Sequence, residues 1–119
     1  MKTFINCNDI EDFKKMGGTL KKVGEHLKMP AGVNIVIGIF LPGEGLKKHY
    51  HKNPTAELYY VYSGEGTVFL EGRKMKVTKG AALYIAPEKE HYIVNTGQQK
   101  LEVVFVLAPP LEGGTVILE

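Results

Sequence analysis

The stretch Gly43-Glu44-Gly45-Leu46-Lys47-Lys48-His49-Tyr50-His51, followed by Glu57 and Gly64, decides how this chain is read. In an extended strand, positions two apart project to the same face. His49 and His51 therefore present two imidazoles side by side, about 7 Å apart along the backbone. A single metal ion about 2.1 Å from each nitrogen spans such a gap. Glu57 opens the next extended run, after a turn containing Asn53-Pro54, and its carboxylate can return to the same place. His91 follows Pro87-Glu88-Lys89-Glu90 and starts a later run, from which a third imidazole can arrive across a closed sheet. Three neutral nitrogens and one carboxylate oxygen suit one divalent transition metal (Fe, Mn, Ni, Co, Cu or Zn), with positions left for water or substrate. The expected metal ligands are thus His49, His51, Glu57 and His91; His26, the remaining histidine, is read as structural.

Outward from that stretch the chain is a series of short extended runs punctuated by Gly and Pro. Residues 33–41 are apolar, broken by Asn34 and Gly38, and Pro42 to Gly45 turn the chain. Residues 57–62 are rich in Tyr and Val, and Gly64-Glu65-Gly66 marks another turn. Residues 67–70 and 74–77 flank Glu71-Gly72-Arg73 and read as a hairpin. Runs at 81–85, 91–94 and 101–108 follow, Pro109-Pro110 stops the last, and 115–118 can add a closing strand. Near the start, Asp9 is expected to cap one short helix over 10–16, ended by Gly17-Gly18. Many short strands at close spacing predict an all-β antiparallel sandwich or closed barrel, which also removes exposed strand edges. Segments 35–41 and 103–107 are apolar on both faces, so the outer face needs a cover as well. A second sheet or a second subunit would provide it, and a homodimer is expected.

The chain has 119 residues, enough for one domain over 1–119 and too few for two. Net charge is +2 and Arg73 is the only arginine, which argues against a nucleic-acid partner. Cys7 is the only cysteine, so an intrachain disulfide is excluded. The first residues lack the apolar core of a signal peptide, and no apolar run approaches membrane-spanning length. A cytoplasmic protein without a membrane partner is the expectation.

Two motifs give the chain a family likeness. G-x5-H-x-H-x5-E-x6-G, from Gly43 to Gly64, resembles the first cupin motif, although the usual gap between the second His and the Glu is three or four residues. Gly80, Pro87, His91 and Asn95 are similar to the second, G-x5-P-x-G-x2-H-x3-N. Here Pro87 sits one place late, Lys89 stands near where a Gly is usual, and Ala81 replaces a frequent Asp. The resemblance implies a cupin-type β-barrel (a double-stranded β-helix or jelly roll), a metal toward its open end and, commonly, a dimer. A weaker likeness is to the ectoine-synthase branch. Glu57, Tyr84 and His91 are spaced much as that branch spaces its metal-site residues, but its N-terminal tryptophan and arginine have no counterpart here.

Around the four ligands, Tyr59 shares strand parity with Glu57 and should face the interior, where its hydroxyl can pass a proton or contact substrate. Tyr84 is the second candidate proton donor, expected to face inward from the run before His91. Lys47 is in phase with His49 and His51 and can lean toward an anionic substrate; the plainer reading is a solvated lysine beside a turn. Gly64-Glu65-Gly66 is no phosphate cradle, and Ser63 sits in no nucleophile elbow. Three functions are consistent with this pattern. The first is a metal-dependent enzyme acting on a small polar metabolite (an organic acid, sugar acid or amino acid derivative) by isomerase, lyase or dioxygenase chemistry. The others are a non-catalytic binding or sensor module, and a dimer whose metal is purely structural.

Overall fold

The computed structural model describes residues 3–27, 29 and 31–118. Its strands are β1 (Phe13–Lys15), β2 (Gly18–Lys21), β3 (Asn34–Phe40), β4 (His49–His51), β5 (Ala56–Ser63), β6 (Glu65–Leu70), β7 (Arg73–Thr78), β8 (Ala82–Ile85), β9 (His91–Val94), β10 (Leu101–Ala108) and β11 (Thr115–Ile117). They form two antiparallel sheets, ordered β1-β2-β3-β10-β5-β8 and β11-β4-β9-β6-β7. The expected all-β cupin-type barrel is what the chain adopts. Among the described residues no helix is long and apolar enough to cross a membrane.

The expected helix over 10–16 does not form. One turn of 3-10 helix, Cys7–Asp9, stands before it, capped by Asn6, whose Oδ1 accepts from the Asn8 amide at 2.9 Å. Residues 13–21 instead make a hairpin, with Phe13 opposite Leu20 and Lys15 opposite Gly18. The reason is tertiary. A seven-residue helix is marginal alone, whereas the hairpin extends the sheet along β3 and turns Phe13 and Leu20 inward. Gly17-Gly18, read as a helix end, belongs to the hairpin turn, where Met16 and Gly17 are left-handed.

Strand alternation builds the core. Phe40, Val61, Val68, Ile93, Leu101 and Val103 are completely or almost completely buried between the sheets. On the opposite face of the six-stranded sheet lie Ile35, Ile37, Val104, Val106, Leu58 and Tyr60, in register across β3, β10 and β5. This explains the two runs without alternation: β10 is central, and both of its faces are apolar.

The two motif stretches lie side by side. The Gly43 amide donates to the Asn95 carbonyl at 2.8 Å, Leu46 to Ile93 at 2.9 Å, and Asn95 to Glu44 at 2.7 Å. The backbone passes Gly64 with φ +83, and a Cβ there would stand 2.4 Å from the Lys100 carbonyl oxygen, so a glycine is required.

Candidate metal centre

β4 and β9 run antiparallel with His49 directly opposite His91. Period-two alternation turns His49 and His51 inward together, as their spacing predicts. Glu57 enters from the other sheet, near the start of β5, where it pairs with Leu107 and Ile85. The longer gap before Glu57 is taken up by a turn in which the Thr55 amide donates to the Lys52 carbonyl at 2.9 Å. All four side chains are buried, and each offers a donor atom within 4.8 Å of the others.

Hydrogen bonds fix which imidazole nitrogen faces inward. His49 Nδ1 lies 2.7 Å from the Lys47 carbonyl and His91 Nδ1 lies 2.7 Å from the Lys89 carbonyl. A carbonyl only accepts, so both Nδ1 atoms carry protons and both Nε2 atoms point into the cluster. His51 Nδ1 is 2.9 Å from Thr115 Oγ1 on the neighbouring strand β11. Glu57 Oε1 is 2.9 Å from His51 Nε2 and 3.0 Å from His91 Nε2. Two donors at right angles around one cation, each about 2.1 Å from it, stand about 3.0 Å apart. The donor set therefore fits a single transition-metal ion.

The electrostatics suit the same use. Burial, and then the neighbouring His91, push His49 down to about 4, so the ring is neutral. Burial alone would raise Glu57, but hydrogen bonds from His51 and His91 outweigh it and hold the carboxyl at about 2. A neutral His49 nitrogen and an ionised Glu57 oxygen are the forms a metal requires. Burial first, and the Glu57 charge second, push the Tyr59 hydroxyl well above its ordinary value. It faces the interior as expected, with its ring 5.9 Å from that of His91. Among the described residues, the Tyr59 hydroxyl is the one fully buried side-chain polar atom without a hydrogen-bond partner.

Two expected neighbours lie elsewhere. Tyr84 pairs with Leu58, one register step from Glu57 and Ile85, so it projects from the outer face and is 63% exposed. Its inward orientation is corrected, and the ectoine-synthase likeness loses one of its three residues from the site. Lys47 is exposed and does not line the cavity beside the cluster; its carbonyl, holding His49, is what reaches the site. His26 is exposed at the end of a short 3-10 turn, Val23–Glu25.

The cluster opens, at His51 and Glu57, into a cavity of about 580 Å³ walled by β1, β2, β3, β10 and the segment 110–115. Thr115 and these walls were not legible as site residues. Thr115 is 64 positions from His51, and nothing in the local sequence ties them.

The cupin domain family model matches residues 36–107. The chain belongs to the cupin family. An uncharacterized protein of Methanocaldococcus jannaschii is 37% identical over 67 residues, 56% of this chain and 54% of that protein; the chain spans about half the length of that relative. Tetracenomycin polyketide synthase protein TcmJ of Streptomyces glaucescens is 32% identical over 111 residues, 88% of this chain and 70% of the relative. The polyketide cyclase RemF of Streptomyces resistomycificus superposes with a TM-score of 0.79 at 19% identity, over 100% of this chain and 87% of that one. That last likeness is one of fold.

Proposed function

We propose that this cupin is a metal-dependent enzyme acting on a small molecule by isomerase, lyase or dioxygenase chemistry, with one divalent transition metal held by His49, His51, Glu57 and His91. The observation that carries the reading is the convergence of three inward Nε2 atoms and an ionised carboxylate at the end of a cavity. A purely structural site would have no use for that opening. A divalent metal bound there supplies Lewis-acid polarisation of a substrate oxygen. The chain's own part is to keep His49 and His91 in the ligating tautomer through the Lys47 and Lys89 carbonyls, and to line the approach with Phe105 and Leu46. Tyr59 is proposed as a positioning residue: its ring packs edge-on to that of His91 at 5.9 Å and does not line the cavity, which tells against the substrate contact expected of it. Enzymes do occur on this scaffold: RemF is a polyketide cyclase.

The reading includes a cytoplasmic homodimer. Leu58 and Tyr60 are 41% and 44% exposed on the outer sheet face, where a second copy would cover them. Sedimentation should then give twice 13.2 kDa.

Elemental analysis of purified protein, beside an anomalous-scattering map, tests the metal. About one ion per chain is expected, lost in His51→Ala and His91→Ala; full retention in both variants removes the ligand assignment. Oxygen uptake, against exchange of a substrate C–H proton with solvent, then separates dioxygenase from isomerase or lyase chemistry. Tight metal with neither activity nor ligand-induced thermal shift would favour a structural role.

A further inference from the structure

The cavity's walls say what shape of molecule it receives. At about 580 Å³ it lies within the range of about 300–1,000 Å³ that holds drug-sized ligands, far more than a two-carbon acid occupies. Phe13, Leu20, Val36, Phe105, Leu107 and Leu111 line it, from four strands and the segment 110–115. Phe105 is held rigidly, edge-on to Tyr59 at 4.6 Å and to Phe40 at 6.4 Å. At the rim, Lys22 sits 4.3 Å over the Phe13 ring and pairs with Glu25 at 3.7 Å. Lys15 and Glu112 complete the charged lining around the mouth. Two lysines are balanced by two glutamates, so the rim selects neither sign of charge. Selection falls to the apolar walls.

We infer that the ligand of this site is amphipathic: an apolar, ring-bearing body against Phe13, Leu20, Phe105 and Leu111, with an oxygen-bearing end at His51 and Glu57. This differs from the small polar metabolite expected of the sequence, and it rests on the proposed metal site only for the placement of the oxygen end. The apolar walls lie on β1, β2, β3, β10 and the segment 110–115, outside the cupin ligand motifs, which is why the motifs carry no sign of them.

Matched hydroxy acids test it. 3-Hydroxy-2-naphthoate and glycolate both present a hydroxyl and a carboxylate, and differ mainly in the ring body. Each is titrated calorimetrically into protein loaded with Zn(II) and into metal-free protein. The naphthoate is expected to bind at least thirtyfold tighter than glycolate. Leu111→Gln and Leu107→Gln, both at partly exposed positions that tolerate a polar side chain, should each weaken it three- to tenfold and leave glycolate unchanged. Equal affinities overturn the inference. So does naphthoate binding that neither variant alters, since that locates it on the outer face. A ring preference in protein that takes up no Zn(II) when offered it supports the inference while refuting the metal reading. Stoichiometric metal without a ring preference does the reverse.

Discussion

Asn95, the last residue of the second motif, is expected to be worth about 3 kcal/mol to the fold. Its side chain is 1% exposed and makes three hydrogen bonds. Nδ2 donates to the Phe40 carbonyl at 2.9 Å and to the Gln99 carbonyl at 2.8 Å, and Oδ1 accepts from the Gly97 amide at 2.9 Å. Phe40 ends β3 in the six-stranded sheet while Asn95 follows β9 in the five-stranded one, so the side chain ties the sheets together. Asn95→Ala leaves the buried Phe40 carbonyl unpaired, at about 1–3 kcal/mol, whereas the two part-buried partners recover water and lose about 0.5–1 kcal/mol each. With a urea slope near 1.5 kcal/mol/M, the midpoint should fall by about 2 M. The chain has no tryptophan, so far-UV circular dichroism and tyrosine fluorescence follow the transition. Metal content of the folded variant should be unchanged, because Asn95 touches none of the four ligands. A midpoint shift under about 0.5 M, at unchanged slope, would refute the stapling argument.

Gly45→Ala would put a Cβ 2.1 Å from the Ile93 carbonyl oxygen, a backbone atom that cannot swing aside, and should cost at least about 3 kcal/mol by urea titration; a near-neutral result would mean the two motif segments are not in contact. Lys47→Ala keeps the carbonyl that holds His49 and should leave metal affinity, by competition with a chelator, within about twofold; a tenfold loss would give the side chain the role the geometry denies it. Burial, then the charge of Glu102 and Cys7, push Tyr62 from 10.0 up to about 12. The folded state thus keeps a proton that the unfolded chain releases near 10.0, and this residue's contribution to stability falls as pH rises from there toward 12. Absorbance at high pH should show a component near 12 that Tyr62→Phe removes, and its persistence in the variant would contradict the assignment.

The four ligands were legible because each sits in a short run whose alternation or flanking turn fixes its direction. His49 and His51 needed only strand periodicity, and His91 and Glu57 needed a barrel to bring their runs together. Tyr84 failed because parity transfers between strands only through register, and the Leu58–Tyr84 pairing cannot be read from one strand alone. The helix over 10–16 failed for a related reason: a short segment with a capping residue and a glycine end was overruled by the sheet edge at β3. Lys89 stands near the usual Gly of the second motif, but the left-handed residue is its neighbour Glu88, with φ 68, and Lys89 contributes a carbonyl that any side chain would leave in place. The cavity walls were the least legible part, since Phe13, Leu20 and Leu111 look like ordinary core residues in sequence.

The origin of the donors has a consequence for stability. His49, His51 and His91 all belong to the five-stranded sheet, whereas Glu57 belongs to the six-stranded one. A cation held by all four therefore bridges the sheets at the same end of the barrel that the cavity occupies. His51 is further tied through Thr115 to the segment that walls that cavity, where the Lys52 amide donates to the Gly114 carbonyl at 2.8 Å. Metal binding, sheet closure and the shape of the cavity are then one linked equilibrium, because an ion that binds the closed form alone stabilises it by RT ln(1 + [L]/Kd). At a free-metal concentration a hundredfold above Kd, that is about 2.7 kcal/mol. It is comparable to the contribution assigned to Asn95, which ties the same two sheets without a metal.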